Sequence, residues 1–247
     1  MKTGLTSITF RQKSISEIIS IAKNAHLEAI EWGSDVHCMP EDIFALQKAY
    51  SETLGAGLKI SSYGSYFRIG MTDTKQFSKY CKAAEILGTD VIRIWAYNKA
   101  PNEVTNKEYE LCVEQAKEIS DVAQTFGITV CFEYHRGTLT QTYESAVKLI
   151  NDIDRENIKL YWQPNPELTF QENSHELEAV LPYTVNIHCF KWNNNNQRLP
   201  LSDGRDEWAG YIETAKKGNV KNIILEFTAD DSENNLYDDA KTLNDLI

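Results

Sequence analysis

Positive charge is scarce: 25 Lys and Arg stand against 36 Asp and Glu, a formal net charge of −11. A protein that holds nucleic acid neutralises phosphates with a basic surface, so this balance excludes that class of partner. Cysteine is equally uninformative as a scaffold. The five thiols, Cys38, Cys81, Cys112, Cys131 and Cys189, are odd in number, widely spaced and include no CxxC pair. That spacing argues against a disulfide framework or a thiolate zinc knot, and for reduced, buried side chains. Long apolar runs are missing too: none approaches the roughly 20 residues of a membrane span. The opening segment MKTGLTSITFRQKS also lacks the apolar stretch of a signal peptide. A cytoplasmic protein without a membrane partner is the expectation. No linker or low-complexity tract interrupts the chain, so one domain over 1–247 is expected. What remains is 42% hydrophobic and 25% charged residues, proportions that supply one sizeable core and rule out disorder or collagen-like repeats.

Short β-rich runs recur, each followed by a segment of helical period. The runs are 5–9, 28–32, 58–63, 91–95, 129–134, 158–162, 185–190 and 222–227. Helices are expected at 14–25, 41–54, 73–87, 105–126, 141–152, 172–181, 206–217 and 236–246. Ser14, and Thr105 with Glu108 three residues on, carry N-terminal capping chemistry, while Gly55, Gly88, Gly127 and Gly218 stand where helices close. Eight strands alternating with eight helices in this length predict a (β/α)8 TIM barrel.

In such a barrel the chemistry lies at the C-terminal ends of the strands, on side chains that point inward. Strand parity says which ones do. On strand five, Cys131, Glu133 and His135 share the inward face, with Val130, Phe132 and Tyr134 outward. Strand seven turns Asn186 and His188 in and Val185, Ile187 and Cys189 out. Strand eight aligns Ile224 with Glu226, strand six Tyr161 with Gln163, strand four Arg93 with Trp95, and strand two contributes Glu31. Strands five to eight thus each end in an inward oxygen or nitrogen donor: Glu133, Gln163, His188 and Glu226. Two carboxylates and an imidazole converging from neighbouring strands suit a divalent metal.

These strand ends, with the segments IEWGSDVH, VIRIWA, FEYHRGTLTQTYESA, YWQP, HCFKW and RLPLSDGRDEW, resemble the xylose-isomerase-like TIM barrels, the sugar phosphate isomerases and epimerases. The resemblance runs over nearly the whole chain. It implies that Glu133, Gln163, His188 and Glu226 hold a divalent metal ion (Mn, Mg, Co or Zn), and that Glu133 and Glu226 are also the catalytic acid/base pair for a sugar or related polyol. This sequence departs from the family at strand six, where Gln163 replaces an Asp and Pro166 stands where a His is common. An amide oxygen still ligates a hard cation, but with one negative charge fewer, so metal is held more weakly, or Gln163 bonds substrate instead.

A charged residue inside a barrel strand is costly unless paired, so Arg93 is expected either to bridge to Glu31 or Glu133 or to anchor a substrate anion. His135 either polarises a substrate hydroxyl or orients Glu133. Arg136, Lys191, Arg198 and Arg205 also belong to the catalytic-face segments, and the Asp35–His37 segment after strand two either lines the mouth or forms a turn. No glycine-rich phosphate loop follows strands seven and eight. All five tryptophans, Trp32, Trp95, Trp162, Trp192 and Trp208, fall at or near the expected mouth, where flat apolar rings with one N–H suit a sugar. The substrate-binding set is therefore Glu31, Trp32, His37, Arg93, Trp95, His135, Trp162, Lys191, Trp192 and Arg198. The expected function is metal-assisted sugar isomerisation or epimerisation. The alternatives are a dehydratase-type lyase on the same scaffold or a sugar-binding barrel without metal. The partner is a small sugar or polyol, with homo-oligomerisation left open.

Overall fold

Capping chemistry sets where the helices begin. Ser14, Thr105 and Thr169 each accept from the backbone N–H three residues on, and Glu17, Glu108 and Glu172 reach back to close capping boxes. The helices of the computed structural model, which describes residues 1–247, are α1 (Ile15–Asn24), α2 (Ile43–Gly55), α3 (Phe77–Leu87), α4 (Asn106–Gln124), α5 (Tyr143–Ile153), α6 (Phe170–Val180), α7 (Arg205–Ala215) and α8 (Glu233–Asn244). Between them run the barrel strands β1 (Lys2–Thr6), β2 (Ala29–Gly33), β3 (Lys59–Arg68), β4 (Val91–Trp95), β5 (Thr129–Glu133), β6 (Ile158–Trp162), β7 (Thr184–Cys189) and β8 (Asn222–Leu225). Each strand pairs in parallel with its neighbours in sequence, and β1 pairs with β8, so the sheet closes into the expected (β/α)8 barrel. A two-residue hairpin, Lys191–Trp192 against Arg198–Leu199, stands above β7. No helix is long and apolar enough to cross a membrane.

Alternation along the strands divides the interior in two. Ile30, Ile92, Val130, Phe132, Leu160, Ile187 and Ile223 belong to a 57-residue core between sheet and helices. Val91, Cys131, Tyr161 and Ile224 form a separate small cluster of opposite parity, which fills the barrel beneath the mouth. All five cysteines are buried and unpaired. Val185 is a correction to strict parity. The register between β6 and β7 slips after Leu160, and Val185 packs against the inner cluster.

Other boundaries differ for identifiable reasons. The first strand begins at Lys2, whose N–H donates to Lys221 O at 3.0 Å, and Ser7–Thr9, expected inside it, belong to a 3-10 turn over Ser7–Phe10. β3 runs on past Tyr63 to Arg68 through an irregular register with β4 after Gly64. Gly88 and Gly127 do adopt the left-handed conformation, with φ of 67° each, but α2 turns at Gly57 (φ 83°) rather than Gly55, and Gly218 has no positive φ.

Gly64 is the glycine that bears on the mouth of the barrel. A Cβ there would lie 2.8 Å from Oε1 of Glu31 and 2.9 Å from Nη2 of Arg93. Replacing Gly64 with Ala pushes the ends of two paired charged groups out of the positions in which they bond each other. Gly64→Ala should therefore lower unfolding free energy by about 1–3 kcal/mol, measured by urea denaturation.

Candidate active site

The floor of the mouth is ionic. Arg93 on β4 is 1% exposed and Glu31 on β2 fully buried, and neither would be tolerated alone. Arg93 Nε lies 3.4 Å from Glu31 Oε1, and its Nη1 bonds Glu133 at the end of β5. Glu31 accepts further bonds from Ser62 Oγ at 2.9 Å, Thr6 Oγ1 at 3.2 Å and His188 Nε2 at 3.3 Å. Burial by itself would raise the Glu31 carboxyl, but the Arg93 and His188 charges and the bonds from His188 and Ser62 outweigh it and hold it well below the usual carboxylate range. Burial likewise opposes charge on Arg93, and Glu133, Glu31 and Glu226 overcome it.

Above this floor, ligand atoms of Glu133, His188 and Glu226 lie within 4.8 Å of one another. His188 Nδ1 stands 3.2 Å from Gln163 Oε1 and 3.5 Å from Glu226 Oε2. Glu226 continues the ladder beyond β8, its N–H donating to Cys189 O at 2.9 Å. Burial, reinforced by the negative charges of Glu133 and Glu31, pushes the Glu226 carboxyl up to about 7 against the pull of His188 and Arg93. Burial lowers His188, but Glu226 and Glu31 more than reverse this. Two crowded carboxyls, an imidazole and an amide oxygen are the donors a hard-to-borderline divalent cation takes, and the residues fit such an ion.

The group opens into a cavity of about 170 Å³ whose walls are largely aromatic: Tyr66, Trp95, Tyr134, Phe190, Trp192 and Phe227, with Ile8, His135, Arg136, Gln141 and the Pro164–Pro166 turn. Trp95 packs between His135, with ring centroids 4.7 Å apart, and the Arg68 guanidinium, 4.5 Å from its ring. The indole N–H groups of Trp95 and Trp192 and the hydroxyl of Tyr134 are buried with no hydrogen-bond partner. The cations lining the cavity are engaged: Arg93 as above, and Arg136 with Glu167 at 2.7 Å and Asn196 at 2.7 Å. The hairpin is pinned at the rim by Arg198, which bonds Asp231 and lies over Phe227 at 4.5 Å.

A family model described as xylose isomerase-like TIM barrel matches residues 19–246. The chain belongs to that family. A curated relative, the 3-dehydroshikimate dehydratase of Bacillus anthracis, is 25% identical over 169 residues, 65% of this chain and 60% of the relative. The chain thus covers about 60% of that relative's length. Among solved structures, the probable 3-DHS dehydratase AsbF of Bacillus anthracis superposes with a TM-score of 0.85 at 18% identity, covering 99% of each chain. D-psicose 3-epimerase of Clostridium cellulolyticum H10, solved with D-tagatose, gives 0.76 at 14% identity over 100% of this chain and 98% of that one. At such identities the structural likeness speaks for the fold.

This xylose isomerase-like barrel brings together some of the sequence-selected residues and separates others. Glu133, Gln163, His188, Glu226, Arg93, Trp95, His135 and Trp192 meet at the mouth. Trp32 and Trp162 do not. Both are fully buried in the core between sheet and helices: Trp32 donates to Thr53 on α2 at 3.2 Å, and Trp162 packs edge-on against Tyr211 of α7. Their neighbours Glu31 and Gln163 point inward, so by strand alternation they must point out. Trp208 is likewise core, donating to Phe190 O at 3.0 Å. His37 is buried beside Trp32, its Nε2 2.9 Å from Lys13 O, and lies outside the cavity. Glu31 lies under the mouth, and Lys191 turns away to Glu207 at 2.6 Å. Arg198 braces the hairpin from outside the lining.

Sequence alternation does not reveal the walls contributed by Tyr66, Tyr134, Phe190 and Phe227. Tyr66 lies on the extension of β3 beyond its expected end. Tyr134 follows the last residue of β5, where parity ceases to apply. Phe227 reaches the cavity through a left-handed backbone (φ 56°) that no bulky residue advertises.

Breaking the ionic floor should be expensive. Arg93→Met leaves two buried carboxylates without their cation, and chelator-treated protein at pH 7 should lose about 3–5 kcal/mol of unfolding free energy. Adding Glu31→Gln to that variant should restore part of the loss. An Arg93→Met protein as stable as wild type would show that the floor carries no such load.

Proposed function

We propose that this family member is a metal-assisted isomerase or epimerase of an uncharged sugar or related polyol, acting by proton transfer through an enediolate. The observation that carries the proposal is the pair of buried carboxyls, Glu133 and Glu226, converging with His188 on one point at the cavity floor. Removing a proton next to a carbonyl and returning it elsewhere needs a base and an acid on a held substrate. Glu133 and Glu226 are the acid/base pair. With His188 and Gln163 they would also hold the divalent ion (Mn, Mg, Co or Zn), which supplies Lewis-acid stabilisation of the enediolate. The unpartnered N–H groups of Trp95 and Trp192 and the Tyr134 hydroxyl are donors for substrate oxygens. The aromatic walls take its C–H faces and keep bulk water from the proton in transit.

A second proposal, the dehydratase, draws on the 25% identical relative. There the enolate expels a hydroxyl instead of being reprotonated. The charges of the cavity favour the first proposal. A dehydroshikimate carries a carboxylate, whereas Arg93 and Arg136, the cations that line this cavity, already have acidic partners. A neutral polyol needs no free cation.

Incubating the Mn²⁺-loaded protein in D₂O with D-psicose, D-tagatose or 3-dehydroshikimate separates the two. A sugar product with one deuterium supports epimerisation, and a product lighter by water supports the lyase. Glu133→Gln and Glu226→Gln should each slow deuterium uptake by about 10²–10⁴-fold. Uptake unchanged in both would sink the acid/base assignment.

Metal affinity gives an independent check. With Glu226 protonated up to about pH 7 in the metal-free protein, a cation must displace that proton. Mn²⁺ affinity should thus climb by about tenfold per pH unit or more toward pH 7, more steeply where the raised His188 also sheds its proton, and flatten once both groups are deprotonated, as read by calorimetry. Gln163→Asp, which adds an anionic donor, should tighten binding at every pH in that range.

A further inference from the structure

We propose that Glu31 is a positioning residue for the cation ligands, one buried carboxylate that registers His188 on β7 and Glu133 on β5 to each other. The inference rests on the reading of Glu133, His188 and Glu226 as metal ligands and adds the group that sets their geometry. Glu31 does not reach substrate, being fully buried and absent from the cavity lining. It receives His188 Nε2 at 3.3 Å, and the opposite edge of the ring, Nδ1, is thereby presented to Glu226 at 3.5 Å and Gln163 at 3.2 Å. The same carboxylate takes Arg93 Nε at 3.4 Å, and Arg93 in turn bonds Glu133. Two ligands from non-adjacent strands are therefore referred to one fixed point.

The fold invests in that point. Ser62 and Thr6 hydroxyls satisfy the remaining lone pairs of Glu31 from the strands on either side, and Gly64 leaves the space that Glu31 and Arg93 occupy. A buried carboxylate with this many partners is a poor route to stability, since apolar residues of equal volume do as well. It is an effective way to fix which ring nitrogen of His188 faces a metal and to hold the ring against rotation.

The test uses Mn²⁺ alone, titrated calorimetrically into metal-free protein at pH 7.5. Glu31→Gln should weaken Mn²⁺ binding by about 10–100-fold, the range typical of lost partners behind metal-bound histidines. Combined with His188→Gln, Glu31→Gln should cost less affinity than it does alone, because no imidazole remains to be oriented and only the hold on Glu133 through Arg93 is left to lose. A purely structural role would lower the melting temperature and leave the two substitutions additive in affinity. Should Glu31→Gln fail to fold, Ser62→Ala, which only loosens the carboxylate, carries the same comparison with a smaller expected weakening of about 2–5-fold, below that range. Unchanged affinity in the folded variant, or additivity with His188→Gln, overturns the positioning role while leaving the metal site standing. Failure of wild-type protein to bind Mn²⁺ overturns both.

Discussion

The contact on which the mouth of this barrel depends is the buried ion pair between Arg93 and Glu31. A guanidinium and a carboxylate at 1% and 0% exposure survive there only because each satisfies the other and because hydroxyls, a second carboxylate and an imidazole complete the shell. This dictates much of the surrounding sequence. β3 must supply Ser62 as a donor and then Gly64 as a gap. β1 must offer Thr6, and β5 must place Glu133 within reach of the guanidinium. Beneath this layer the inner cluster of Val91, Cys131, Tyr161 and Ile224 is apolar, so the charges have a low-dielectric floor and their mutual orientation is stiff.

That arrangement explains why the two cores are chemically unlike. The core between sheet and helices is made of aliphatic and aromatic residues from alternate strand positions, and it absorbs Trp32, Trp162 and Trp208. The inside of the barrel is mixed, with an apolar plug, a saturated ionic layer and then the Glu133, His188 and Glu226 cluster opening to aromatic walls. Each layer limits the next. The plug excludes water from the ionic layer, the ionic layer orients Glu133 and His188, and the walls restrict what approaches them.

Strand count, barrel closure and the inward donors were legible because they rest on alternation, which depends only on the pleat. Glu133, His188 and Glu226 follow from the parity of Cys131, Asn186 and Ile224. The same rule, applied without exception, would have sent Trp32 and Trp162 outward, since each is the immediate neighbour of an inward residue, whereas Trp95 shares the parity of Arg93 and does reach the cavity. The capping boxes at Ser14 and Thr105 were equally plain, being local. What was not legible depends on departures from regular geometry. The extension of β3 that delivers Tyr66, the slip that turns Val185 inward and the left-handed Phe227 are set by packing against other strands, and no local pattern announces them.

The net charge of −11 belongs mainly to the outside, and the mouth has its own balance. Three buried carboxylates, Glu31, Glu133 and Glu226, surround one guanidinium, Arg93. Counted as fully ionised, with His188 neutral, they sum to 1 − 3 = −2, equal and opposite to a divalent cation. An aspartate at position 163, as the family resemblance leads one to expect, would make the sum −3. In this chain Glu31 lies beside His188 and adds its charge from beneath the cluster. On the proposal that a divalent ion is held here, the neutral Gln163 is the choice that leaves the loaded site without excess charge. An unbalanced charge in a buried mouth raises the desolvation cost of everything around it.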